Sequence, residues 1–399
     1  MERPSFRSEP ATAPYLHAGE RVSASTAASL VLLLAGDVMT GRGVDQISQH
    51  PSDPELREPY VESATTYVEL AARVHGPVPA RVVPSYIWGD ALRVLERMKP
   101  RVSIVNLETS ATVSDDFWPD KAVHYRMRPE NTAFLRAAHI DVCSLANNHV
   151  LDFGIKGLRE TLDVLASSGL RCAGAGLDVA RASMPARIPI GDDRALLVFA
   201  VGSTTSGIPR EWAATPERPG VHLLADLSLA SADRLADAIR AQRGPSDMAL
   251  VSVHWGSNWG YEISSEQVAF AHRLIDRGVA LVHGHSSHHV RALEVYRGRL
   301  ILYGCGDLIS DYEGIQGYEA YRGDLGVLYF ASLAPDGALR GLRLVPMQTQ
   351  RLQLTRAEHA DAKWLKATLD RIGKPFGSSF ELDSDDSLVL HWGARTKTP

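Results

Sequence analysis

Short apolar runs alternate with amphipathic segments along most of this chain. The short runs are typical of buried strands, and apolar residues at three- and four-residue spacing are typical of helices. This alternation predicts an α/β protein in which crossover helices connect the strands of a largely buried sheet. The predicted strands are 29–35, 102–105, 142–145, 195–201, 248–253, 279–282 and 300–303. The predicted helices are 90–98, 129–138, 156–168, 229–240 and 265–277.

The pattern changes after residue 303. Two further strands, 324–331 and 338–345, flank the turn sequence Pro335-Asp336-Gly337, which predicts a local antiparallel pair and therefore a mixed sheet. A last helix at 357–372 and a short strand at 388–392 follow. We predict three parts for the chain. They are a disordered extension at 1–28, a catalytic domain at 29–346, and a C-terminal accessory helix and strand at 347–399.

The overall composition narrows the class of protein. The 399 residues are 45% hydrophobic and 22% charged, with a formal net charge of −5, which is typical of a soluble globular protein. Lys and Arg are scattered, so no surface for nucleic acid or for an anionic membrane is predicted. The apolar run at 27–35 is shorter than a membrane span and is followed by Gly36-Asp37, so we predict a buried strand there. A cytoplasmic location is expected.

The three cysteines are Cys143, Cys172 and Cys305, and no CxxC pair occurs. An odd number of cysteines without such a pair argues against a disulfide framework and fits a reducing compartment. We expect each of them to be a free, small, buried residue.

Ligand-type side chains directly follow five of the apolar runs. In open parallel sheets, binding sites form beyond the carboxyl ends of the strands, so residues that are distant in sequence converge there. Carboxylates and amides mixed with imidazoles, without thiolates, suit Mn, Fe, Zn or a similar divalent ion. The sequence therefore predicts a metal site. The segments are Gly36-Asp37-Val38-Met39, Asn106-Leu107-Glu108, Asn147-Asn148-His149, His254-Trp255-Gly256 and His283-Gly284-His285.

Each of these motifs also has a simpler interpretation. Asp37, which follows a glycine, fits a turn or a helix cap equally well. His254, taken alone, fits a buried core histidine better than a ligand. The segment 147–154 is different, because His149 lies between paired asparagines and the later Asp152. It offers a ligand, an acid and an orienting group together, and we interpret it as functional.

Four histidines lie within seven residues, at positions 283, 285, 288 and 289. Such a density is typical of metal or proton-transfer sites. We expect only two of the four to act, because adjacent His288 and His289 would point to opposite faces of a strand beginning there. Glu294 and Asp307 are candidates for orienting the imidazoles from behind, and both also fit ordinary surface charges.

Several aromatic and arginine residues near these motifs are candidates for a substrate cleft, because such side chains hold planar or carboxylated ligands. They fit core aromatics, helix caps and solvated charges equally well. Gly41-Arg42-Gly43 offers backbone N–H groups to an anion, but it matches no Walker motif or dinucleotide fingerprint, so nucleotide binding is not predicted. The cleft candidates are Trp88, Arg126, Arg128, Trp255, Trp259 and Tyr261.

The order of the motifs GDxM, NLE, ANNHxxDxG, HWG and GHxxH resembles that of the CapA family, which is named for poly-γ-glutamate capsule synthesis. That family resembles a branch of the calcineurin-like metallophosphoesterase superfamily. The resemblance implies a four-layer α/β/β/α sandwich with mixed sheets and one or two metal ions at the strand ends. It implies catalytic roles for His149, with Asp152 of the same motif, and for His288 as a proton carrier or further ligand. The implied metal ligands are Asp37, Glu108, Asn148, His254 and His285.

Two positions depart from the pattern of the superfamily. Met39 stands where the first motif commonly has a His ligand, and Glu108 lies in an NLE segment in place of the usual Asp motif. We therefore expect one tightly held ion and a weaker second ion.

Four functions are open at the level of sequence. The first is metal-dependent hydrolysis or transfer on a peptide-like or γ-glutamyl amide, in which the metal activates water and His149 or His288 moves the proton. The second is metal-dependent inversion of a peptide Cα centre by two acid–base groups, as in an epimerase of a peptide natural-product pathway. The third is phosphoester hydrolysis. The fourth is a non-catalytic module for cell-envelope assembly. None of them requires a nucleic acid or a membrane span.

Overall fold

The computed structural model describes residues 29–191 and 193–393. The extension predicted at 1–28 lies outside this part of the chain. Among the described residues, no helix is both long enough and apolar enough to span a bilayer. The α-helices are α1 (Arg42–Gln46), α2 (Thr65–His75), α3 (Asp90–Met98), α4 (Ala133–Ala137), α5 (Gly154–Ser167), α6 (Val179–Ala182), α7 (Leu229–Gln242), α8 (Ser265–Asp276) and α9 (His359–Gly373).

The strands form two large mixed sheets and two short two-stranded pairs. They are β1 (Leu30–Val38), β2 (Val102–Leu107), β3 (Ser110–Ala111), β4 (Arg126–Met127), β5 (Val142–Ser144), β6 (Arg171–Ala173), β7 (Ala175–Gly176), β8 (Ala186–Gly191), β9 (Arg194–Gly202), β10 (Gly220–Val221), β11 (Met248–His254), β12 (Leu281–His285), β13 (Leu293–Tyr296), β14 (Arg299–Leu302), β15 (Asp307–Ile309), β16 (Leu325–Leu333), β17 (Leu339–Gln350), β18 (Gln353–Arg356), β19 (Ser378–Leu382) and β20 (Leu388–Trp392).

The larger sheet contains ten strands in the order β19-β20-β17-β16-β1-β2-β5-β6, with β15 beside β1 and β18 beside β17. Its half formed by β1, β2, β5 and β6 is parallel, whereas β16, β17 and the C-terminal strands pair antiparallel. The smaller sheet contains six strands in the order β13-β14-β12-β11-β9-β8, and its four central strands are parallel. Each sheet therefore contains a set of adjacent parallel strands, and the carboxyl ends of these strands can carry a site.

Three hydrophobic clusters separate four layers. The alternation of side chains along β1 sends Leu33 to one face, against α3, α4 and α5, and sends Leu32 and Leu34 to the other face. On that second face the larger sheet packs against the smaller sheet through residues such as Leu250 of β11. The far side of the smaller sheet is covered by α7 and α8, and Phe270 of α8 is fully buried in the hydrophobic cluster that the helices form with this sheet. The predicted four-layer α/β/β/α sandwich with mixed sheets is confirmed.

The predicted elements match the observed ones with informative exceptions. The antiparallel pair around Pro335-Asp336-Gly337 is confirmed as β16 and β17. The helix predicted at 129–138 is a 3₁₀ turn, Pro129–Thr132, followed by α4. Helix α2 was missed. The segment after residue 346 contains α9 and three strands that extend the larger sheet through β17, and the boundary at 346/347 stays a prediction.

All three cysteines are free, as predicted. Cys143 and Cys305 are buried, whereas Cys172 is partly exposed. Cys143 and Cys172 are directly opposite each other on β5 and β6.

Candidate metal centre

The predicted ligand residues meet where the two sheets come together at the carboxyl ends of their parallel strands. Asp37 of β1 lies opposite Asn106 of β2 in the larger sheet. His254 of β11 lies opposite His285 of β12 in the smaller sheet. Potential ligand atoms of Asp37, His254 and His285 all lie within 4.8 Å of one another, and the three residues are buried. One carboxylate from the first sheet and two imidazoles from the second thus form a candidate site for a divalent cation.

The carboxylate of Asp37 is fixed by a relay of amides. Asn106 donates from Nδ2 to Asp37 Oδ1 at 2.8 Å, and the backbone N–H of Ser286 donates to Asp37 Oδ2 at 3.2 Å. Asn147 in turn donates from Nδ2 to Asn106 Oδ1 at 3.0 Å and to the Leu107 carbonyl at 2.8 Å. Because an amide donates only from its nitrogen, this relay fixes the orientation of both side-chain amides, with each Nδ2 directed at its acceptor.

Three carboxylates are buried together at this point. Asp37, Glu108 and Asp307 are each at most 5% exposed. Burial raises the pKa of Asp37 to about 7, and the charge of Asp307 adds to the shift, while Glu108 and Asn106 oppose it by hydrogen bonding. Burial and the neighbouring Asp37 also raise the pKa of Glu108 well above its usual value. A cation among these groups would offset their mutual repulsion, which is a feature of metal sites.

The tautomer of His285 follows from a chain of hydrogen bonds. His283 Nε2 faces the Ala35 carbonyl at 2.9 Å and must donate to it. His283 Nδ1 is then an acceptor for Ser252 Oγ at 3.2 Å, since burial lowers the pKa of His283 to about 4 and keeps its ring neutral. Ser252 Oγ therefore accepts from His285 Nε2 at 2.8 Å. The lone pair of His285 Nδ1 is left facing the centre of the site.

The hydrogen-bond partners of His254 indicate whether a cation fits between this ring and His285. His254 Nδ1 lies 2.9 Å from His285 Nδ1, and His254 Nε2 lies 2.9 Å from Asn148 Oδ1. Burial lowers the pKa of His254 well below its usual value, so the ring is neutral and has only one N–H. With the Asn148 amide oriented so that Oδ1 faces the ring, both partners of His254 are acceptors. Whichever ring nitrogen carries the hydrogen, the other one therefore faces an acceptor with its own lone pair. A cation bound by His254 removes this acceptor–acceptor contact, so the donor set fits a divalent metal.

A fourth histidine, His149, lies next to this cluster and contacts the charged side chains of Asp152 and Lys121. Its Nδ1 lies 2.7 Å from Asp152 Oδ2, and its Nε2 lies 3.8 Å from Glu108 Oε1. Lys121 Nζ contacts both members of the pair, at 2.5 Å from Asp152 Oδ1 and 3.0 Å from His149 Nδ1. The ring of Tyr125 stacks on the imidazole at 3.8 Å between centroids. Burial lowers the pKa of His149 well below its usual value, and the charge of Lys121 contributes.

His288 is also held by a carboxylate, but its pKa is shifted in the opposite direction to that of His149. Its Nδ1 lies 3.1 Å from Asp307 Oδ2, so a carboxylate orients this imidazole as it does that of His149. Burial alone would lower the pKa of His288, but the Asp307 carboxylate outweighs it and raises the pKa. The chain makes a bend at His288 and His289, so the strand expected to begin there is absent from this described segment. Asp307 has the orienting position predicted for it.

Four other predicted residues lie elsewhere. Trp88 is fully buried, with its Nε1 donating to the Phe134 carbonyl at 2.7 Å, and Trp255 is 1% exposed, with its Nε1 donating to the Tyr303 carbonyl at 3.0 Å. Both tryptophans pack in hydrophobic cores, which corrects their assignment to a substrate cleft.

The guanidinium group of Arg126 is also hydrogen-bonded within the protein. Its Nη1 donates to the Ser114 carbonyl at 3.0 Å and to Asp115 Oδ1 at 2.6 Å. Glu294 accepts from His272 at 2.8 Å, and His272 is not one of the imidazoles of the candidate metal centre.

Several residues of the centre were not assigned from the sequence. Lys121 and Tyr125 belong to an irregular segment without a strand-end motif, and Tyr312 lies in a loop after β15, so no local pattern identified them. Asn106 and Asn147 were inside the quoted motifs, and their position directly after buried strands was a usable signal. Asn148 and Glu108 lie beside the cluster, and their roles as ligands stay predictions.

Comparisons with known proteins agree with these motifs. The sequence profile of the family described as "Bacterial capsule synthesis protein PGA_cap" matches residues 31–312. A probable polyglutamine synthesis accessory protein of Mycobacterium tuberculosis is 48% identical over 363 residues, which are 90% of this chain and 96% of that protein. The PGA biosynthesis protein CapA of Bacillus subtilis is 26% identical over 278 residues, which are 69% of this chain and 62% of that protein.

Among solved structures, the 5'-nucleotidase precursor of Thermus thermophilus superposes with a TM-score of 0.41 at 15% identity. The superposition covers 84% of this chain and 58% of that chain. The profile match spans more than half of the chain, and the mycobacterial relative matches nearly all of it. This chain is therefore similar to the CapA proteins and belongs to the bacterial capsule synthesis protein PGA_cap family.

Proposed function

We propose that this protein is a divalent-metal-dependent enzyme that cleaves an amide bond in a glutamyl or glutaminyl peptide chain and passes the acyl group to water or to another acceptor. The observation that carries the proposal is the cluster of Asp37, His254 and His285 with a carboxylate-held histidine, His149, beside it. The printed names of the relatives, polyglutamine synthesis accessory protein and PGA biosynthesis protein, support an amide-linked chain of this type as the substrate.

Asp37, His254 and His285 would hold the metal ion. Asn148, whose Oδ1 lies 2.9 Å from His254 Nε2, and Glu108, which lies beside His149, are candidates for further ligands. A bound divalent ion of the Mn, Fe or Zn type supplies a Lewis acid for the substrate carbonyl and lowers the pKa of a bound water. The relay from Asn147 through Asn106 keeps the Asp37 carboxylate in a fixed orientation, which a ligand requires.

His149 has the geometry of an acid–base group. Asp152 holds His149 Nδ1, so His149 Nε2 remains available on the side of Glu108 and the metal cluster. From there His149 can take a proton from the attacking water and give it to the leaving amine. His288, oriented by Asp307, is a second group that can move a proton at the same centre.

The test is to follow short capped glutaminyl and γ-glutamyl peptides by mass spectrometry after incubation with the metal-loaded protein. We expect new peptide termini that depend on the metal and disappear in His149→Ala. The matched control is His359→Ala, because His359 forms a comparable pair with Asp386 at 2.6 Å on the surface. The absence of new termini under metal-loaded conditions, with the parent peptides unchanged, would reject hydrolysis.

A second candidate function, inversion at a peptide Cα, is supported by one feature of the site. Two imidazoles, His149 and His288, are each backed by a carboxylate at the same metal cluster, and such an inversion needs two acid–base groups. In D₂O this reaction would introduce deuterium at Cα without changing the connectivity of the peptide. The same mass spectra therefore distinguish it from hydrolysis.

A further inference from the structure

A cleft of about 450 Å³ opens beside the candidate metal centre. His288 lies at its inner end, where the Tyr312 ring packs edge-on against the imidazole at 5.2 Å between centroids. The Tyr312 hydroxyl lies 2.6 Å from the Tyr125 hydroxyl, and Tyr125 stacks on His149. The cleft therefore reaches one carboxylate-held histidine directly and the other through two tyrosines.

The outer wall of the cleft is aromatic and apolar. The rings of Trp259 and Tyr318 stack in parallel, with centroids 4.1 Å apart and an interplanar angle of 1°. Tyr318 is 48% exposed, and the neighbouring Ile315 and Val74 are exposed as well. Exposed, preformed flat surfaces of this kind bind planar or apolar groups at low entropic cost.

The charges that line the cleft do not suit an anionic chain. Among the described lining residues the one guanidinium is that of Arg322, which is bonded to both oxygens of Asp324, at 2.8 and 2.7 Å, and to Asp361 at 2.9 Å. His75, also in the lining, is bound to Glu313 at 2.6 Å. The lining carboxylates are Glu313, Glu319 and Asp324. A ligand with many carboxylates would be repelled by the excess negative charge of these residues. Arg322 and His75 of the lining are already paired with carboxylates of the protein, so they offer such a ligand no free positive charge.

We propose that this cleft binds an uncharged, amide-bearing segment of the substrate chain and discriminates against a chain that carries a carboxylate on every side chain. Trp259 packs face to face on Tyr318 and so holds the Tyr318 ring in place, and planar side-chain amides can stack on the exposed outer face of Tyr318. Carboxylates of the cleft placed opposite carboxylates of a ligand repel that ligand and so weaken its binding. The inference rests on the proposed function for the chemistry at the inner end of the cleft, but binding in the cleft is measurable without turnover.

The experiment compares two capped peptides of equal length, one of glutamine and one of glutamate, by calorimetric titration of the metal-loaded protein. We expect the glutamine peptide to bind about tenfold more tightly or better. Tyr318→Ala should weaken the binding of the glutamine peptide by roughly three- to tenfold because it removes the exposed ring face on which the amides stack. Tyr60→Ala is the matched control, since Tyr60 is 97% exposed and lies outside the cleft lining.

Reversing one charge of the cleft shows whether the cleft is where glutamine and glutamate peptides are distinguished. Glu319→Lys should tighten the binding of the glutamate peptide and leave that of the glutamine peptide nearly unchanged, whereas Glu217→Lys, in an exposed loop outside the lining, should alter neither. Equal or tighter binding of the glutamate peptide to the unmodified protein, or no binding of either peptide, would overturn the inference. If the glutamine peptide binds through Tyr318 but no product forms, the proposed reaction fails and the cleft assignment stands. If product forms but glutamate peptides bind equally well, only the cleft assignment fails.

Discussion

At the scale of single residues, the candidate metal centre is formed by three side chains that come from two different sheets. Asp37→Ala or His285→Ala removes one of the three clustered donors, and we expect the metal affinity to fall by at least about tenfold. Elemental analysis of the purified variants measures this loss, and circular dichroism shows whether they remain folded. His272→Ala is the control, because His272 is also held by a carboxylate but lies outside the cluster. Full retention of metal in both ligand variants would contradict the assignment.

We expect Lys121 to position His149, and this role can be tested separately from that of the metal ligands. Its ammonium group contacts Asp152 and His149, and its positive charge, together with burial, lowers the pKa of His149. Lys121→Met removes that charge, so the pKa of His149 should rise and the corresponding limb of the pH profile of kcat/KM should move to higher pH. Turnover should fall while metal content stays the same.

The control for this change is Lys156→Met, at an exposed position of α5. A purely structural role for Lys121 would lower the amount of folded enzyme without moving the pH profile. An unchanged profile in folded, metal-loaded Lys121→Met would therefore remove Lys121 from the mechanism.

At the scale of elements, the end of β1 is placed by a close approach of two glycines. A Cβ added to Gly36 would lie 1.8 Å from the carbonyl oxygen of Gly306, which accepts the N–H of Asp37. Gly36→Ala must push β1 away from β15 and displace Asp37, so we expect a loss of about 1–3 kcal/mol in the free energy of unfolding and weaker metal binding.

Urea denaturation of the protein measures the loss of stability. Gly341→Ala is the matched control within the larger sheet, since an added Cβ there meets nothing within 4 Å. Equal stability of the two variants would show that β1 and β15 can separate at no cost.

The strands explain how much of the site the sequence could predict. The apolar run of β1 and the polar residues after it were sufficient to place Asp37 at a strand end, because burial and chain direction are local properties. The residues that come from irregular segments, such as Lys121 and Tyr312, were not predictable, since their positions depend on packing between distant parts of the chain. Trp88 and Trp255 were misplaced because a tryptophan next to polar residues has the same local pattern in a core and in a cleft.

At the scale of the whole molecule, the site joins the two sheets. His283 of the smaller sheet donates to the Ala35 carbonyl of the larger sheet, and Ser286 donates to Asp37 across the same boundary. Ligands from both sheets would be held by one ion, so metal binding should stabilise the packing of the sheets as well as the site.

This coupling predicts a pH-dependent effect of metal on thermal stability. Burial raises the pKa of Asp37 from 3.8 to about 7, so its favourable contribution to the metal-free fold is present at low pH and is lost as the pH rises toward 7. Metal binding needs the ionised carboxylate of Asp37, so a proton competes with the ion there below the Asp37 pKa. Burial lowers the pKa of His254 and of His285 well below the usual value, so these imidazoles are already neutral and no proton competes with the ion there. The gain in Tm on adding Mn or Zn should therefore be small at a pH below the Asp37 pKa. At a pH above that pKa, the gain should reach a few degrees.

Thermal melts with metal and with chelator, on both sides of that pKa, measure the gain, and Asp37→Ala should show little gain at either pH. A gain that is the same on both sides, or that persists in Asp37→Ala, would mean that the stabilising ion binds somewhere other than at the junction of the two sheets.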